Sequence, residues 1–247
     1  MEHFDFLEVI TREAGDLAAT ARSVGPDATV PATPEWTMAK LVKHTGTTHR
    51  WAQSAVTSLE FPNPADLDLG LPEAEMDYPD WLDTGAATFG KQVGALDPAA
   101  DCWSWGPDSH VRFWSRRMAH ETAIHRWDAQ SGAGGSQPIA AELAIDGIDE
   151  RLTNLPASLN FGSTPSEILQ GDGETVHLHA TDAEGEWLLR FGPNGLEVTR
   201  QHAKGDVAVR GTASDLLLYL VGRRGLDGFE IFGDEGVLNA RDAIRRF

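Results

Sequence analysis

The hydrophobic period of this chain changes once, near residue 160, and that change limits the folds open to it. Before that point apolar residues recur every three or four positions, the spacing of an amphipathic helix. In 3–23, HFDFLEVITREAGDLAATARS, the positions Phe4, Leu7, Ile10, Ala14, Leu17 and Ala21 share one side. Pro26, Pro31 and Pro34 punctuate a loop. A second helix is expected to open with Thr33 as its cap and Pro34 in its first turn, carrying Trp36, Leu41, His44, Thr48, Trp51 and Val56 on roughly one side. Residues 60–76, with three prolines and many acids, read as a loop. Further helices are expected over about 78–95, 110–132 and 138–155. After 160 the period becomes two: TVHLHATD and EWLLRFG alternate as half-buried strands do, Gly192-Pro193-Asn194-Gly195 reads as a turn, and LEVTRQ and AKGDVAVRG add short strands. TASDLLLYLVGRR then reads as a helix capped by Thr212 or Ser214, and DEGVLNARDAIRRF as a last one. The expected fold class is therefore α+β in two domains, a helical one over 1–160 and a small α+β one over 165–247, with the boundary within 158–168.

Composition excludes several functions. A formal net charge of −18 is repelled by nucleic acid and by anionic membrane surfaces, so neither is an expected partner. No apolar run approaches the roughly 18–20 residues that span a bilayer. The start, MEHFDFLEVITREAGDL, lacks the basic opening and apolar core of a secretory signal, so the expected location is the cytoplasm. A single cysteine, Cys102, rules out an intramolecular disulfide and a thiolate-rich zinc knuckle; it reads as a small, partly buried residue. A metal here has to be held by histidine and carboxylate. An anionic substrate has to meet a local positive group against the general field.

Glu121 and His125 lie four apart in the helix expected over 110–132. Four residues turn about 400°, which leaves the two side chains about 40° apart on one face. The string His120-Glu121-Thr122-Ala123-Ile124-His125 is not the HExxH of zinc proteases. His120 and His125, five apart, diverge by about 140° and do not readily share an ion. A third ligand has to come from another helix. His44 and His49 are candidates, and helix phase favours His44 over His49 without excluding either. Two imidazoles and one carboxylate with a position left open form a catalytic rather than a structural zinc pattern, and helical bundles hold metals on facing helices. Read more plainly, a Glu–His pair four apart is a surface hydrogen bond. Asp128 either orients His125 or is a solvated charge at the helix end. His110, His120, Trp103 and Trp105 line a pocket or simply pack.

Trp36-Thr37 with His44 eight residues after the tryptophan, the stretch RMAHETAIHRWD over 117–128, and GTASDLLLYLVGRRGLDG near the C-terminus together resemble the mycothiol-dependent maleylpyruvate isomerase family over nearly the whole chain. The resemblance implies a DinB-like four-helix bundle followed by a sterol-carrier-like α+β module. It implies His44, Glu121 and His125 as ligands of a divalent metal, zinc by preference, and gives His49 no ligand role. It implies the catalytic arginine at Arg223. Arg224 stands where the family often has glycine, which leaves open which of the two arginines serves. The implied chemistry uses mycothiol, activated as a thiolate, on an electrophilic small molecule: either a cis–trans isomerisation of the maleylpyruvate type or an S-transfer, with Arg223 binding a substrate carboxylate. At Arg223, a cation favourable to a helix C-terminus is the competing reading. A thiol-independent metal hydrolase and a non-catalytic small-molecule binding protein are the alternatives at the level of function, because fold alone does not choose among them.

Overall fold

The three- and four-residue spacing at the N-terminus folds as α1 (His3–Val24), and Leu7, Ile10, Ala14, Leu17 and Ala21 are all buried. The structure, a computed structural model, describes residues 1–162 and 166–245. The second helix, α2 (Met38–Ala55), starts later than expected. Its cap is Thr37, whose hydroxyl accepts from the Lys40 N–H. Thr33 and Pro34 belong instead to turns, with Thr33 N–H bonded to Val30 O and Trp36 N–H to Thr33 O. The local Thr-Pro signal is used to fold that turn back, and it brings Trp36 to the start of α2.

α3 (Tyr78–Val93) and α4 (Val111–Gly132) match the expected spans closely. In the first unit, Met1–Ile139, α1 packs on α3 and α4, and α2 packs on the same two helices. A buried ion pair, Arg126 Nε to Glu13 Oε2 at 2.7 Å, links α4 to α1. Trp114 is fully buried and donates its indole N–H to the Trp103 carbonyl at 2.7 Å. Trp103 and Trp51 pack against it, and Phe61 packs on those two rings. Trp105 packs edge-on to Phe113. These tryptophans are therefore packing residues. Cys102 is buried in the same region. Burial first, then Asp108 and Asp101, pushes its thiol up to about 11.

The second unit is Ala140–Phe247, so the division falls well before the boundary expected within 158–168. The expected second-domain start at residue 165 and the last two residues of the expected C-terminal helix lie outside the described residues. The reason for the earlier division is α5 (Ala141–Phe161). It packs on α6 (Ala213–Leu220), and its Asp149 accepts the Trp187 indole N–H at 2.7 Å. That side of α5 is completed by sheet residues that come much later in the chain.

The sheet holds β1 (Glu174–Ala180), β2 (Glu186–Gly192), β3 (Gly195–Thr199), β4 (Val207–Gly211) and β5 (Glu230–Gly233), in the order β3-β2-β1-β4-β5. All neighbours are antiparallel except β1 and β4, which are parallel. The turn expected at 192–195 joins β2 to β3, with Gly195 at φ +119°, a backbone conformation that favours glycine. Strand alternation sorts the residues. Val176, Leu178, Trp187, Leu189, Phe191, Val207 and Val209 form one buried apolar face. His177, His179, Glu186 and Arg190 fall on the other. β5 has no counterpart in the sequence pattern; at four residues it is too short to show alternation. Thr212 caps α6 by accepting from the Asp215 N–H, and α7 (Glu235–Ala240) occupies part of the last expected helix. No helix among the described residues is long and apolar enough to cross a membrane.

Candidate metal centre in the helical unit

Within the first unit, α2 supplies His44 and α4 supplies Glu121 and His125. The four-residue spacing on α4 puts the last two side by side, as helix geometry requires. His44 Nε2 lies 3.2 Å from Glu121 Oε1, and His125 Nε2 lies 3.1 Å from the same oxygen. One nitrogen from each histidine and one carboxylate oxygen all fall within 4.8 Å of one another. The two rings meet edge-on, with centroids 4.9 Å apart. Trp36 closes one side at 4.9 Å from the His44 ring and 6.1 Å from the His125 ring. Exposure is graded: the side chains of His125, Glu121 and His44 are 6%, 23% and 39% exposed. The group is rooted in the bundle at His125 and open to solvent at His44.

Two neighbours orient it. Asp128, one turn beyond His125, is fully buried, and its Oδ2 lies 2.9 Å from His125 Nδ1. It is therefore not the solvated helix-end charge of the competing reading. A carboxylate only accepts, so Nδ1 carries the proton and Nε2 is the nitrogen turned to Glu121. Arg117, one turn before Glu121, donates Nη2–H to Glu121 Oε2 at 2.9 Å and leaves Oε1 facing the histidines. Burial works against charge on both α4 residues, but the contacts outweigh it. Hydrogen bonds from His125 and His44, with Arg117 nearby, hold the Glu121 carboxyl well below its usual range. Asp128 and Glu121 raise His125 to about 9.

The arrangement fits a cation. When His125 is neutral, its Nε2 lone pair faces Glu121 Oε1, acceptor against acceptor at 3.1 Å. Either a second proton on His125 or a positive ion has to lie there. Two imidazole nitrogens and a carboxylate oxygen, one side open and one histidine held by a buried carboxylate, match the donor chemistry of a zinc-type site with an open position.

The other expected residues lie elsewhere. His49 is fully buried, with Nε2–H donated to Thr122 Oγ1 at 2.8 Å; burial, then the Arg50 charge, lowers it to about 4. His120 is buried against Phe6. His110 stands just before α4, with its ring beside Asp108 and Arg112 and no capping hydrogen bond from its side chain. Arg223, in the second unit just after α6, is half-buried and donates Nη1–H to Val221 O at 3.1 Å. Arg224 is ion-paired to Asp215. Sequence reasoning gave Arg117 no role, although its place four residues before Glu121 is a sufficient signal.

Fold and residues together define a two-unit α+β protein whose helical unit carries a candidate two-histidine, one-carboxylate centre. The sequence model of the mycothiol maleylpyruvate isomerase N-terminal domain matches residues 7–130, and that of the MDMPI C-terminal domain matches residues 142–240. The chain belongs to the mycothiol maleylpyruvate isomerase family. Among solved structures, a crystal structure of the mycothiol-dependent maleylpyruvate isomerase is similar at 17% identity and a TM-score of 0.54, over 94% of this chain and 93% of that one. A crystal structure of a histidine-to-alanine mutant of that isomerase is similar at 16% identity and a TM-score of 0.56, with the same coverage. At these identities the likeness concerns the fold. No curated protein sequence matches the chain.

Proposed function

We propose that this chain is a metal-dependent enzyme that uses mycothiol, holds a divalent ion, zinc by preference, at His44, Glu121 and His125, and acts on an electrophilic small molecule bearing a carboxylate. The observation that carries the reading is the convergence of those three side chains on one point, in a chain of the mycothiol maleylpyruvate isomerase family. An ion bound there supplies Lewis-acid activation, lowering the pKa of a thiol so that it is a nucleophile near neutral pH.

The chain's own residues do the rest. His125 presents Nε2 because Asp128 holds Nδ1–H, and Arg117 turns the Glu121 carboxylate so that one oxygen faces the histidines. The exposed side at His44 admits the thiol. Arg223 binds the substrate carboxylate through its guanidinium, the local positive charge that a chain of net charge −18 needs for an anionic substrate. The thiol sulfur adds to the activated double bond, the resulting single bond rotates, and the sulfur leaves to give the trans isomer. Where the sulfur stays, the reaction is an S-transfer. A low-molecular-weight thiol cosubstrate is kept reduced in the cytoplasm, which supports that location.

The test is turnover of a cis-configured conjugated oxo acid with and without mycothiol, alongside metal analysis. Expected are thiol-dependent turnover, loss of metal and activity together in His44→Ala, Glu121→Ala and His125→Ala, and a raised KM for the acid in Arg223→Ala. Turnover unchanged without mycothiol overturns the thiol reading in favour of a hydrolase. Ligand binding by a metal-free chain, unaffected by the three substitutions, overturns the enzyme reading in favour of a binding protein. An Arg223→Ala chain that handles a diacid as well as the parent removes the role assigned to Arg223.

A further inference from the structure

β4 pairs with β1, so the chain leaving β3 has to pass both β2 and β1 before it can enter the sheet. It does so on the face opposite Trp187. At Gly205 it runs so close that a Cβ there would stand 3.0 Å from the His177 backbone nitrogen and 3.3 Å from the His177 Cβ.

Four donors meet on this path. Strand alternation puts His177 and His179 on one face of β1, and the β1–β2 register sets Glu186 directly opposite His179. The crossing segment adds His202. Three imidazole nitrogens surround one oxygen of Glu186: His177 Nε2 at 2.9 Å, His179 Nδ1 at 3.2 Å and His202 Nδ1 at 2.6 Å from Oε2. The four donor atoms lie within 4.8 Å of one another.

Hydrogen bonding alone accounts poorly for this cluster. Three N–H groups on a single carboxylate oxygen exceed its two lone pairs, and any imidazole that turns a bare nitrogen inward sets acceptor against acceptor. A divalent ion among the four atoms satisfies every donor at once. We propose that His177, His179, Glu186 and His202 form a second metal site, separate from the group on α2 and α4, for a divalent first-row ion that prefers imidazole, zinc being the closest match to three nitrogens and one oxygen.

Its character differs from that of the first group. Four protein donors complete a tetrahedral shell, the pattern of a structural site. The ion fastens the crossing segment, through His202, to the paired strands β1 and β2. A hollow of about 730 Å³ beside the cluster, lined in part by His179, Glu186, Arg200 and His202, gives the ion a way in. The Arg200 guanidinium on that wall lies 3.4 Å from Asp149, which offsets its charge. His177 is 7% exposed at its side chain and His202 81%, so the site is anchored in the sheet and completed from the surface.

The experiment is a zinc titration of the full-length, chelator-stripped chain by calorimetry, with cobalt(II) absorption as a second readout. It is run on the parent, on a His44→Ala/Glu121→Gln double variant, and on each with His179→Ala or His202→Ala added. The exposure of His202 makes its substitution compatible with folding, and circular dichroism checks each variant. Two equivalents are expected in the parent and one in the double variant. Either added substitution should remove one further equivalent. In the double variant, zinc should raise the melting temperature, and His202→Ala should abolish the rise. A parent that binds one equivalent, lost with His202→Ala, supports this site while overturning the metal centre on α2 and α4. A folded double variant that takes up no zinc, or takes it up equally with and without His179 and His202, overturns the proposal.

Discussion

His125 Nδ1 lies 2.9 Å from Oδ2 of the fully buried Asp128, and this contact determines which nitrogen of His125 faces Glu121. Asp128→Asn keeps the shape but can offer Nδ1 an N–H in place of an oxygen. Metal affinity at the His44–Glu121–His125 group is expected to fall about 10- to 100-fold, the usual cost of losing such a partner. Calorimetric zinc titration in a His202→Ala background reads it. An unchanged affinity would show that Asp128 does not orient the ligand.

The same residue gives the metal-free chain a pH dependence. His125 holds its proton up to about 9 when folded and to about 6.5 when unfolded. Below pH 6.5 both states carry the proton and the stabilisation is complete. As pH rises towards 9 the unfolded state gives up its proton first, and the stabilisation is lost. Between those values the melting temperature of the first unit should fall by several degrees without metal and hold steady with zinc bound. Scanning calorimetry at stepped pH decides, and a metal-free chain with a flat profile contradicts the assignment.

His49 works in the opposite direction. Its folded pKa of about 4 lies below the unfolded value of about 6.5. Its contribution is present above pH 6.5 and is lost as pH falls towards 4, by up to about 3 kcal/mol at this order of shift. His49→Gln should lower stability at pH 7 and flatten the decline between pH 6.5 and 4 in urea melts. An acid limb as steep as that of the parent would assign the loss to other groups.

Gly46 lets α2 and α3 approach. A methyl there would overlap the Trp81 ring, which Arg50 covers from 3.8 Å while donating to Gly46 O. Gly46→Ala usually favours a helix, but here overpacking should dominate and destabilise by about 1–3 kcal/mol. Urea denaturation measures it; a stabilised variant would mean that Trp81 moves aside freely.

What the sequence shows clearly is what depends on local period. The amphipathic spacing of α1 and α4, the alternation of β1 and β2 and the four-residue step from Glu121 to His125 all arise from backbone geometry alone. Phase and resemblance put His44 beside them, and the distances agree. The start of α2 is misplaced by sequence because Thr33-Pro34 also suits a turn. The sequence leaves Asp128 between orienting His125 and a solvated helix-end charge, because burial by other helices leaves no local trace. The His177–His179–Glu186–His202 cluster depends on strand register and on a connection that crosses two strands. The pair two apart on β1 is visible in the sequence, but the partners that give it meaning are set by topology.

The placement of α5 bears on how this chain can be divided. A fragment cut near residue 160 would leave the sheet without Asp149, the acceptor of the Trp187 indole N–H, and without the helix that packs on α6. The fold boundary and the family's own C-terminal match, which begins at residue 142, agree that this helix travels with the strands after it. The inheritable module is thus a helix plus a sheet, and a chimera or truncation that respects it has its junction in the short stretch before Ala141.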